Sequence, residues 1–185
     1  MIIGEHTIDI ELIPKDANIL DIGCRGFEFQ DYFKGSRWQK CKVYNVDIDE
    51  LGDKRRKYYR MAIASEDGMC GVKHTEDPNG KHIIDGNEIP KMTIESFSKH
   101  VGVEQWDLIK MDIEGAEYEI LNKAIHPIAK QVSVEFHAHA SQTKWQIDVL
   151  LEDLSKYYDI HNRVWEERHC AGFNYWDILL VSKDL

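Results

Sequence analysis

The sequence predicts one α/β domain over residues 1–185, with a doubly wound, mostly parallel sheet of seven strands between two layers of helices. Three observations lead to this fold class. Short apolar runs alternate with segments of helical periodicity, which favours parallel strands joined by crossover helices. The last two apolar runs are too close for a helix between them, so an antiparallel last strand is expected. No repeat, low-complexity tract or linker divides the chain.

The elements follow from the spacing of apolar and turn-forming residues. The predicted strands are apolar runs at residues 18–22, 42–47, 58–63, 106–111, 131–136, 159–164 and 175–181. The predicted helices carry apolar residues on one face and cover residues 27–33, 92–101, 115–124 and 144–157. The third helix has to stop before Pro127, which cannot continue it. Residues 65–91 contain Gly, Asp, Asn and Pro and are predicted to be mostly loop.

Composition limits the classes of function. A formal net charge of −10 argues against a surface that neutralises nucleic-acid phosphates. Neither a signal peptide nor an apolar run of membrane-spanning length is evident, so no membrane partner is predicted. The cysteines at positions 24, 41, 70 and 170 are widely spaced, without a C-x-x-C pair. This pattern is typical of reduced thiols in a cytoplasmic protein rather than of a disulfide framework or a zinc site.

Polar residues are concentrated directly after the predicted strands. The carboxyl ends of strands in a doubly wound sheet form one edge, and ligands bind there, where the strand order reverses. The residues at these strand ends are Asp21, Gly23, Cys24, Arg25, Gly26, Asp47, Asp49, Ala62, Asp112, Glu114, Glu117, Glu135, His137 and His139. Acids at a helix start are explained by the helix dipole alone. The Glu-x-His-x-His of the fifth strand has no such explanation, so a site is predicted at this edge.

The turn after the first strand favours a nucleotide-like ligand. Gly23 and Gly26 allow the backbone to approach a ligand closely before a helix N-terminus, which attracts anionic groups. Asp47 ends the next strand, where a carboxylate can accept both hydroxyls of a ribose. The glycine spacing differs from G-x-G-x-x-G, so the turn alone is weak evidence. Together with Asp47 it predicts an adenosine-type ligand.

Several segments between about residues 18 and 140 resemble the FkbM family of methyltransferases. The resemblance is carried by ILDIGCRGFEF, YNVDIDEL, RMAIASEDG, IPKMTIESF, SVEFHAH and, most specifically, DLIKMDIEGAEYEILNKA. That family depends on S-adenosylmethionine and has a Rossmann-like seven-stranded sheet, with which the final antiparallel pair agrees. The glycine turn departs from the family's usual DIGANIG or DVGARGG pattern, because Phe27 stands in the place of a last glycine.

The resemblance implies a binding site for S-adenosylmethionine. The residues after the first strand would surround the methionine and ribose portion, namely Asp21, Gly23, Cys24, Arg25 and Gly26. Asp47 would accept the ribose hydroxyls, Ile48 would lie against the adenine, and Ala62 would lie near the adenine edge.

The resemblance also implies an acceptor, because family members typically methylate hydroxyl oxygens of sugars or small metabolites. An alcohol is a poor nucleophile until a base or metal takes its proton. His137 is the preferred base, since imidazole titrates near working pH, and Asp112 and Glu114 are the alternatives. Glu117 and Glu119 are expected to be ordinary, the first near the helix start and the second solvated.

Three further questions stay open at this stage. A divalent metal is not expected, although Asp112, Glu114, Glu135 and His137 form an alternative ligand set. The same strand-end Asp would suit a nicotinamide-dependent oxidoreductase, and the short chain would suit a non-catalytic S-adenosylmethionine-binding module. The expected partner is a small-molecule or saccharide acceptor, and a homo-oligomer is also compatible with the sequence.

Overall fold

The computed structural model describes residues 1–35, 38–51, 57–74, 81–138, 144–162 and 174–185. The strands are β1 (Ile2–Ile3), β2 (His6–Thr7), β3 (Asn18–Ile22), β4 (Lys42–Asp47), β5 (Tyr59–Arg60), β6 (Ala62–Ile63), β7 (Gly68–His74), β8 (Lys81–Met92), β9 (Trp106–Met111), β10 (Ala129–Ala138), β11 (Tyr158–Asn162) and β12 (Asn174–Ser182). The helices are α1 (Glu28–Phe33), α2 (Ile94–Val101), α3 (Glu117–Lys123) and α4 (Lys144–Leu154), and a 3-10 turn spans Ile10–Leu12.

Seven strands form the main sheet, in the order β11-β12-β10-β9-β3-β4-β5. Neighbouring strands are parallel except at β12, which runs antiparallel to both β10 and β11. The predicted fold class, including the antiparallel last strand, is therefore confirmed. The order reverses at β3, which pairs in parallel with β4 on one side and β9 on the other. Ligands bind at such a switch point in doubly wound sheets.

The two faces of the main sheet are covered by different elements. Leu20 and Ile109 point to one face, where they pack with buried residues of α2, α3 and α4. Ile19 and Leu108 point to the other face and pack with α1 and the N-terminal β1–β2 hairpin. This alternation follows from the period of two along a strand. Burying each such side chain contributes roughly 1.5–3 kcal/mol, so the apolar runs that predict the strands also form the core.

Residues 65–91 are not mostly loop, contrary to the prediction. β6, β8 and β7 form a second, three-stranded sheet in that order. The glycines that suggested loop are needed there, because a Cβ on Gly86 would lie 2.8 Å from the backbone of Gly71. The pairing also shifts register between Cys70 and Gly71, as at a β-bulge. Gly residues at a bulge and at a loop look alike in a sequence.

Several element boundaries also differ from the prediction. The predicted strand 58–63 is split, with β5 in the main sheet and β6 in the second sheet. α3 begins at Glu117 rather than at residue 115, because Glu114 and Gly115 have φ angles of 60° and 113°, outside the helical region. The β1–β2 hairpin was not predicted. No helix in the described part of the chain is long and apolar enough to span a membrane.

Candidate active site

A cavity of about 870 Å³ opens at the carboxyl ends of β3, β4 and β9. Among the predicted cofactor residues, Gly23, Arg25, Asp47, Ile48 and Ala62 line it. Of the predicted catalytic residues, the acids after β9 line it as well, namely Asp112 and Glu114. The cavity therefore lies at the predicted edge of the sheet and at the switch point.

The turn after β3 approaches the loop after β9 without an intervening side chain. Gly23 has a φ of 78°, and its N–H donates to the Val46 carbonyl at 2.9 Å. A Cβ at this position would overlap the carbonyl oxygen of Asp112. Both the positive φ and the close approach require glycine. Phe27, which stands where the FkbM pattern that the turn resembles has a glycine, also has a positive φ of 56° and packs edge-on against Tyr58.

Three predicted cofactor residues do not line the cavity. Asp21 is 1% exposed and lies beside Lys110, with 3.5 Å between Oδ1 and Nζ. Cys24 is also 1% exposed, and its N–H donates to Val46. Burial, reinforced by Asp21 and Asp47, raises the pKa of this thiol, so Cys24 stays protonated. A Cβ on Gly26 would overlap the carboxylate of Glu28. These residues shape the turn behind the cavity wall.

Lys110 was missed by the sequence reasoning, although it is the cation at the centre of this turn. Its Nζ lies 3.5 Å from Asp21 on β3 and 3.5 Å from Asp112 after β9. It also donates to the Gly23 carbonyl at 2.6 Å. Burial alone would lower the pKa of Lys110, but the two carboxylates raise it, so the ammonium stays charged. Lys110 thereby joins the loops on both sides of the switch point.

Glu117 is wholly buried, and it organises the loop after β9. Its carboxylate accepts from the N–H of Ile113 at 3.0 Å and from the N–H of Gly115 at 2.9 Å. These bonds hold Glu114 at its φ of 60°, in a region that costs free energy for residues other than glycine. The expectation that the helix dipole alone explains Glu117 is wrong. Glu119 is exposed, as predicted, but it also lines the cavity.

His137 is buried behind the acidic loop. Its Nδ1 lies 2.8 Å from Glu117, and its Nε2 lies 3.6 Å from Asp112 and 3.8 Å from Glu114. Burial alone would lower the pKa of His137, but the hydrogen bond to Glu117 and the other carboxylates raise it to about 9. The imidazole is therefore protonated at neutral pH. His137 is not among the residues that line the cavity.

The carboxylates around His137 are in different protonation states. Burial alone would raise the pKa of Asp112, but His6, Lys110 and His137 hold it far below its usual range, so Asp112 is ionised. Burial, together with the nearby Asp112, raises the pKa of Glu135 to about 8. Glu135 is thus mostly protonated at neutral pH. When acidic groups lie close together, their pKa values commonly diverge in this way, so that one is ionised and another is protonated.

The N-terminal hairpin supplies two residues to the site that the sequence reasoning missed. Glu5 lines the cavity. His6 is 4% exposed and places its Nε2 3.8 Å from Asp112. The hairpin lies before the segments that resemble a known family, and a lone early His gives no signal in the sequence. The predicted residues His139 and Cys170 lie outside the described part of the chain.

A comparison with protein-family models agrees with this arrangement. The model of the methyltransferase FkbM domain matches residues 13–170. The chain belongs to the FkbM methyltransferase family. As a member of this family, the protein is an S-adenosylmethionine-dependent methyltransferase, and the predicted family and cofactor are confirmed. A comparison with curated proteins gave no match.

Solved methyltransferase structures are similar to this chain only at low identity. A TehB-like SAM-dependent methyltransferase from Corynebacterium glutamicum is 15% identical, with a TM-score of 0.44 over 94% of this chain and 84% of that chain. A SAM-dependent methyltransferase from Archaeoglobus fulgidus is 12% identical, with a TM-score of 0.49 over 94% and 89%. A precorrin-6y C5,15-methyltransferase from Geobacter metallireducens is 10% identical, with a TM-score of 0.41 over 91% and 82%. The assignment therefore rests on the family model.

The cavity fits the FkbM family's cofactor. Its volume of about 870 Å³ is in the range of small-molecule sites, which is roughly 300–1,000 Å³. Asp47 is 8% exposed, and its carboxylate is held by the N–H of Asp49 at 2.8 Å, which suits the ribose hydroxyls. Ile48 and Ala62 provide apolar lining that suits the adenine.

Replacing Asp47 by Ala is expected to weaken the binding of S-adenosylhomocysteine by roughly 1–3 kcal/mol, because buried ligand hydroxyls would lose their acceptor. Isothermal titration calorimetry measures the change. Asp153→Ala is the control, since Asp153 is exposed on α4 and pairs with Lys156 at the surface. Equal affinity of Asp47→Ala and the unmodified protein would remove Asp47 from the cofactor site.

Proposed function

We propose that this methyltransferase transfers the methyl group to a hydroxyl oxygen of a sugar or small polar metabolite, with Glu114 as the general base. One observation carries the proposal: the Glu114 carboxylate lines the cavity and is 33% exposed. A carboxylate that reaches both the cavity and solvent can accept a proton and release it. Hydroxyl acceptors require this proton transfer, because an alcohol is a weak nucleophile.

The other predicted bases suit this role less well. His137 is protonated at neutral pH and does not line the cavity, so it cannot accept the hydroxyl proton in that state. Asp112 lines the cavity, but its pKa is far below the usual range, which makes it a weak base. Asp112 is better suited to accept a hydrogen bond and orient the acceptor. Glu114 lines the same cavity, and its carboxylate lies 3.8 Å from the Nε2 of His137.

The chain's own residues provide binding, orientation and proton transfer. S-adenosylmethionine, when bound, supplies an electrophilic methyl group. Displacement at that group requires mainly that the acceptor oxygen be aligned with it. Asp112 and Glu114 would hold the acceptor hydroxyl, and the bonds from Glu117 to the Ile113 and Gly115 N–H groups would fix the loop that carries them. The hydroxyl proton would pass to the Glu114 carboxylate.

The charge of the cavity supports a neutral, hydroxyl-rich acceptor. Carboxylates at its wall include Glu5, Glu28, Asp49 and Glu119. Carboxylates accept hydrogen bonds from hydroxyl groups and repel phosphate and carboxylate groups. The overall charge of −10 disfavours nucleic acids for the same reason. Sugars and small polyols meet both conditions.

Methyl transfer to a panel of acceptors tests the proposal. We expect tritium from methyl-labelled S-adenosylmethionine to appear on methyl glycosides or polyols, and not on matched amines. Transfer to amines alone would contradict the proposal. Binding of the cofactor without transfer to any member would favour a non-catalytic module.

Replacing Glu114 by Gln is expected to reduce turnover at least tenfold, about 1.4 kcal/mol of transition-state stabilisation, and to leave cofactor affinity unchanged. Gln keeps the shape of the side chain but cannot act as the base. Asp112→Asn is expected to reduce turnover as well. Glu95→Gln on the exposed surface of α2 is the control. Full turnover in Glu114→Gln, measured with a responsive acceptor, would exclude it as the base.

A further inference from the structure

We propose that His6, Asp112, Glu135 and His137 bind one divalent first-row transition-metal ion beside the cavity. His6, Asp112 and Glu135 each offer a ligand atom, and these three atoms lie within 4.8 Å of one another. The Nε2 of His137 lies 3.6 Å from both Asp112 and Glu135. The four side chains come from the N-terminal hairpin, the loop after β9 and strand β10. The three ligand atoms of His6, Asp112 and Glu135 form one cluster at the carboxyl end of the sheet, and His137 adjoins it through Asp112 and Glu135.

The state of the His6 ring is an independent observation that points to a ligand. His6 is 4% exposed, and its Nε2 has no hydrogen-bond partner among the described residues. The Oδ2 atom of Asp112 lies 3.8 Å from the Nε2 of His6, which is too far for a hydrogen bond. A buried nitrogen without a partner costs free energy, so the fold does not gain from this arrangement by itself. A metal ion between the ring and the carboxylates would satisfy the nitrogen.

Both imidazole rings are oriented by a hydrogen bond, as metal-binding histidines are in other proteins. His137 Nδ1 lies 2.8 Å from the buried Glu117 carboxylate, and His6 Nδ1 lies 3.3 Å from the Ser133 hydroxyl. In each ring the other nitrogen, Nε2, is directed at the acids, and binding of the ion would release the Nε2 proton that His137 carries in the metal-free protein. Metal-binding histidines almost always have the second nitrogen fixed by a carboxylate or another polar group, which sets the ring orientation.

The distances and the ligand types fit a transition metal. Two ligands on a tetrahedral ion with bonds of about 2.1 Å lie about 3.4 Å apart. The separations here are 3.6 Å for the pairs of His137 with Asp112 and Glu135, and 3.8 Å for His6 with Asp112. The ligand atoms of His6, Asp112 and Glu135 lie within 4.8 Å of one another, so binding one ion would draw these side chains inward. Imidazole ligands favour Zn²⁺, Co²⁺ or Fe²⁺ over Mg²⁺ and Ca²⁺, which prefer oxygen ligands alone.

The structure changes the ligand set from that considered in the sequence. The alternative set there contained Glu114, which lines the cavity and lies 3.8 Å from His137. His6 takes its place as the second nitrogen ligand, and its contribution depends on the hairpin packing against β10. Because Asp112 also lines the cavity, an ion in this cluster would lie next to the acceptor side of the site.

Metal titration of the chelator-treated full chain tests the inference, without cofactor or acceptor. Isothermal titration calorimetry with Zn²⁺ is expected to show one ion per chain, bound more tightly than Mg²⁺. Co²⁺ is expected to give the visible absorption of a four- or five-coordinate site. His6→Gln and Glu135→Gln are each expected to weaken Zn²⁺ binding at least tenfold. His100→Gln, an exposed histidine on α2, is the control and should bind like the unmodified protein.

Several results would overturn the inference. These are less than one ion per chain, no visible Co²⁺ band, tighter binding of Mg²⁺, or a Zn²⁺ affinity that Glu135→Gln leaves unchanged. Thermal melting shows whether His6→Gln remains folded, and Glu135→Gln on the central strand β10 provides a second variant. Because binding is measured without methyl transfer, failure of the proposed reaction would not change the result.

Discussion

Replacing Lys110 by Met is expected to lower the free energy of unfolding by about 3–5 kcal/mol. The Lys110 ammonium is buried between Asp21 and Asp112, at 3.5 Å from each, and it donates to the Gly23 carbonyl. Met has a similar length but no charge, so the variant leaves a buried carboxylate without its cation. Chemical denaturation followed by circular dichroism measures the loss.

Two further variants separate this effect from a general loss of lysine. Lys99→Met is the control and should leave the unfolding midpoint nearly unchanged, because Lys99 is 74% exposed and its ion pair with Glu95 on the same helix lies at the surface. Adding Asp21→Asn to Lys110→Met should recover part of the lost stability, since it removes the uncompensated charge. If Lys110→Met alone lowered the free energy of unfolding by less than about 1 kcal/mol, the role of Lys110 as a buried ion-pair partner would be contradicted.

Replacing Glu117 by Gln is expected to lower the free energy of unfolding by about 3–5 kcal/mol, as for other broken buried ion pairs. Glu117 accepts from two backbone N–H groups and from His137, and it is fully buried. Gln has one acceptor oxygen, and its NH₂ group would face donors. The pKa of His137 should then fall from about 9, because the hydrogen-bonded carboxylate that raises it is gone. Denaturation, and NMR titration of the histidines in chelator-treated protein, measure both effects.

Glu119→Gln is the matched control for Glu117→Gln. It lies two residues further along α3, also in the first turn, but it is exposed. The helix dipole acts on both residues, so a dipole effect alone would give similar losses. We expect the midpoint of Glu119→Gln to be nearly unchanged. Equal destabilisation by the two substitutions would show that Glu117 stabilises the protein only through the helix dipole.

The strands of the main sheet could be predicted because buried parallel strands are apolar along their whole length. Trp106–Met111 is buried at every position, and its residues are apolar except for Asp107 and Lys110. The second sheet could not be predicted in the same way. β7 and β8 carry many polar and glycine residues, so no apolar run marks them as strands. They are strands because they pair with each other, outside the main sheet.

The candidate site could be predicted in part. Asp47, Asp112 and Glu114 could be predicted to lie at one edge, because parallel strands bring their carboxyl ends together there, and all three line the cavity. Lys110 was not found and the role of Glu117 was not predicted, because nothing in the sequence distinguishes a buried charged residue from an exposed one. His6 was not found because it reaches the site only through the packing of the hairpin against β10, at Ser133.

The sequence by itself determined the fold class, the family and the edge of the sheet that carries the site, because these depend on the period of apolar residues and on local motifs. The tertiary structure decided the state of each charged group in the site. Burial and partners make Lys110 an ion-pair centre, keep His137 protonated and leave Glu114 open to the cavity. The physical reason is that a charge is stabilised or destabilised by neighbours within a few ångströms, and most of these neighbours are distant along the chain.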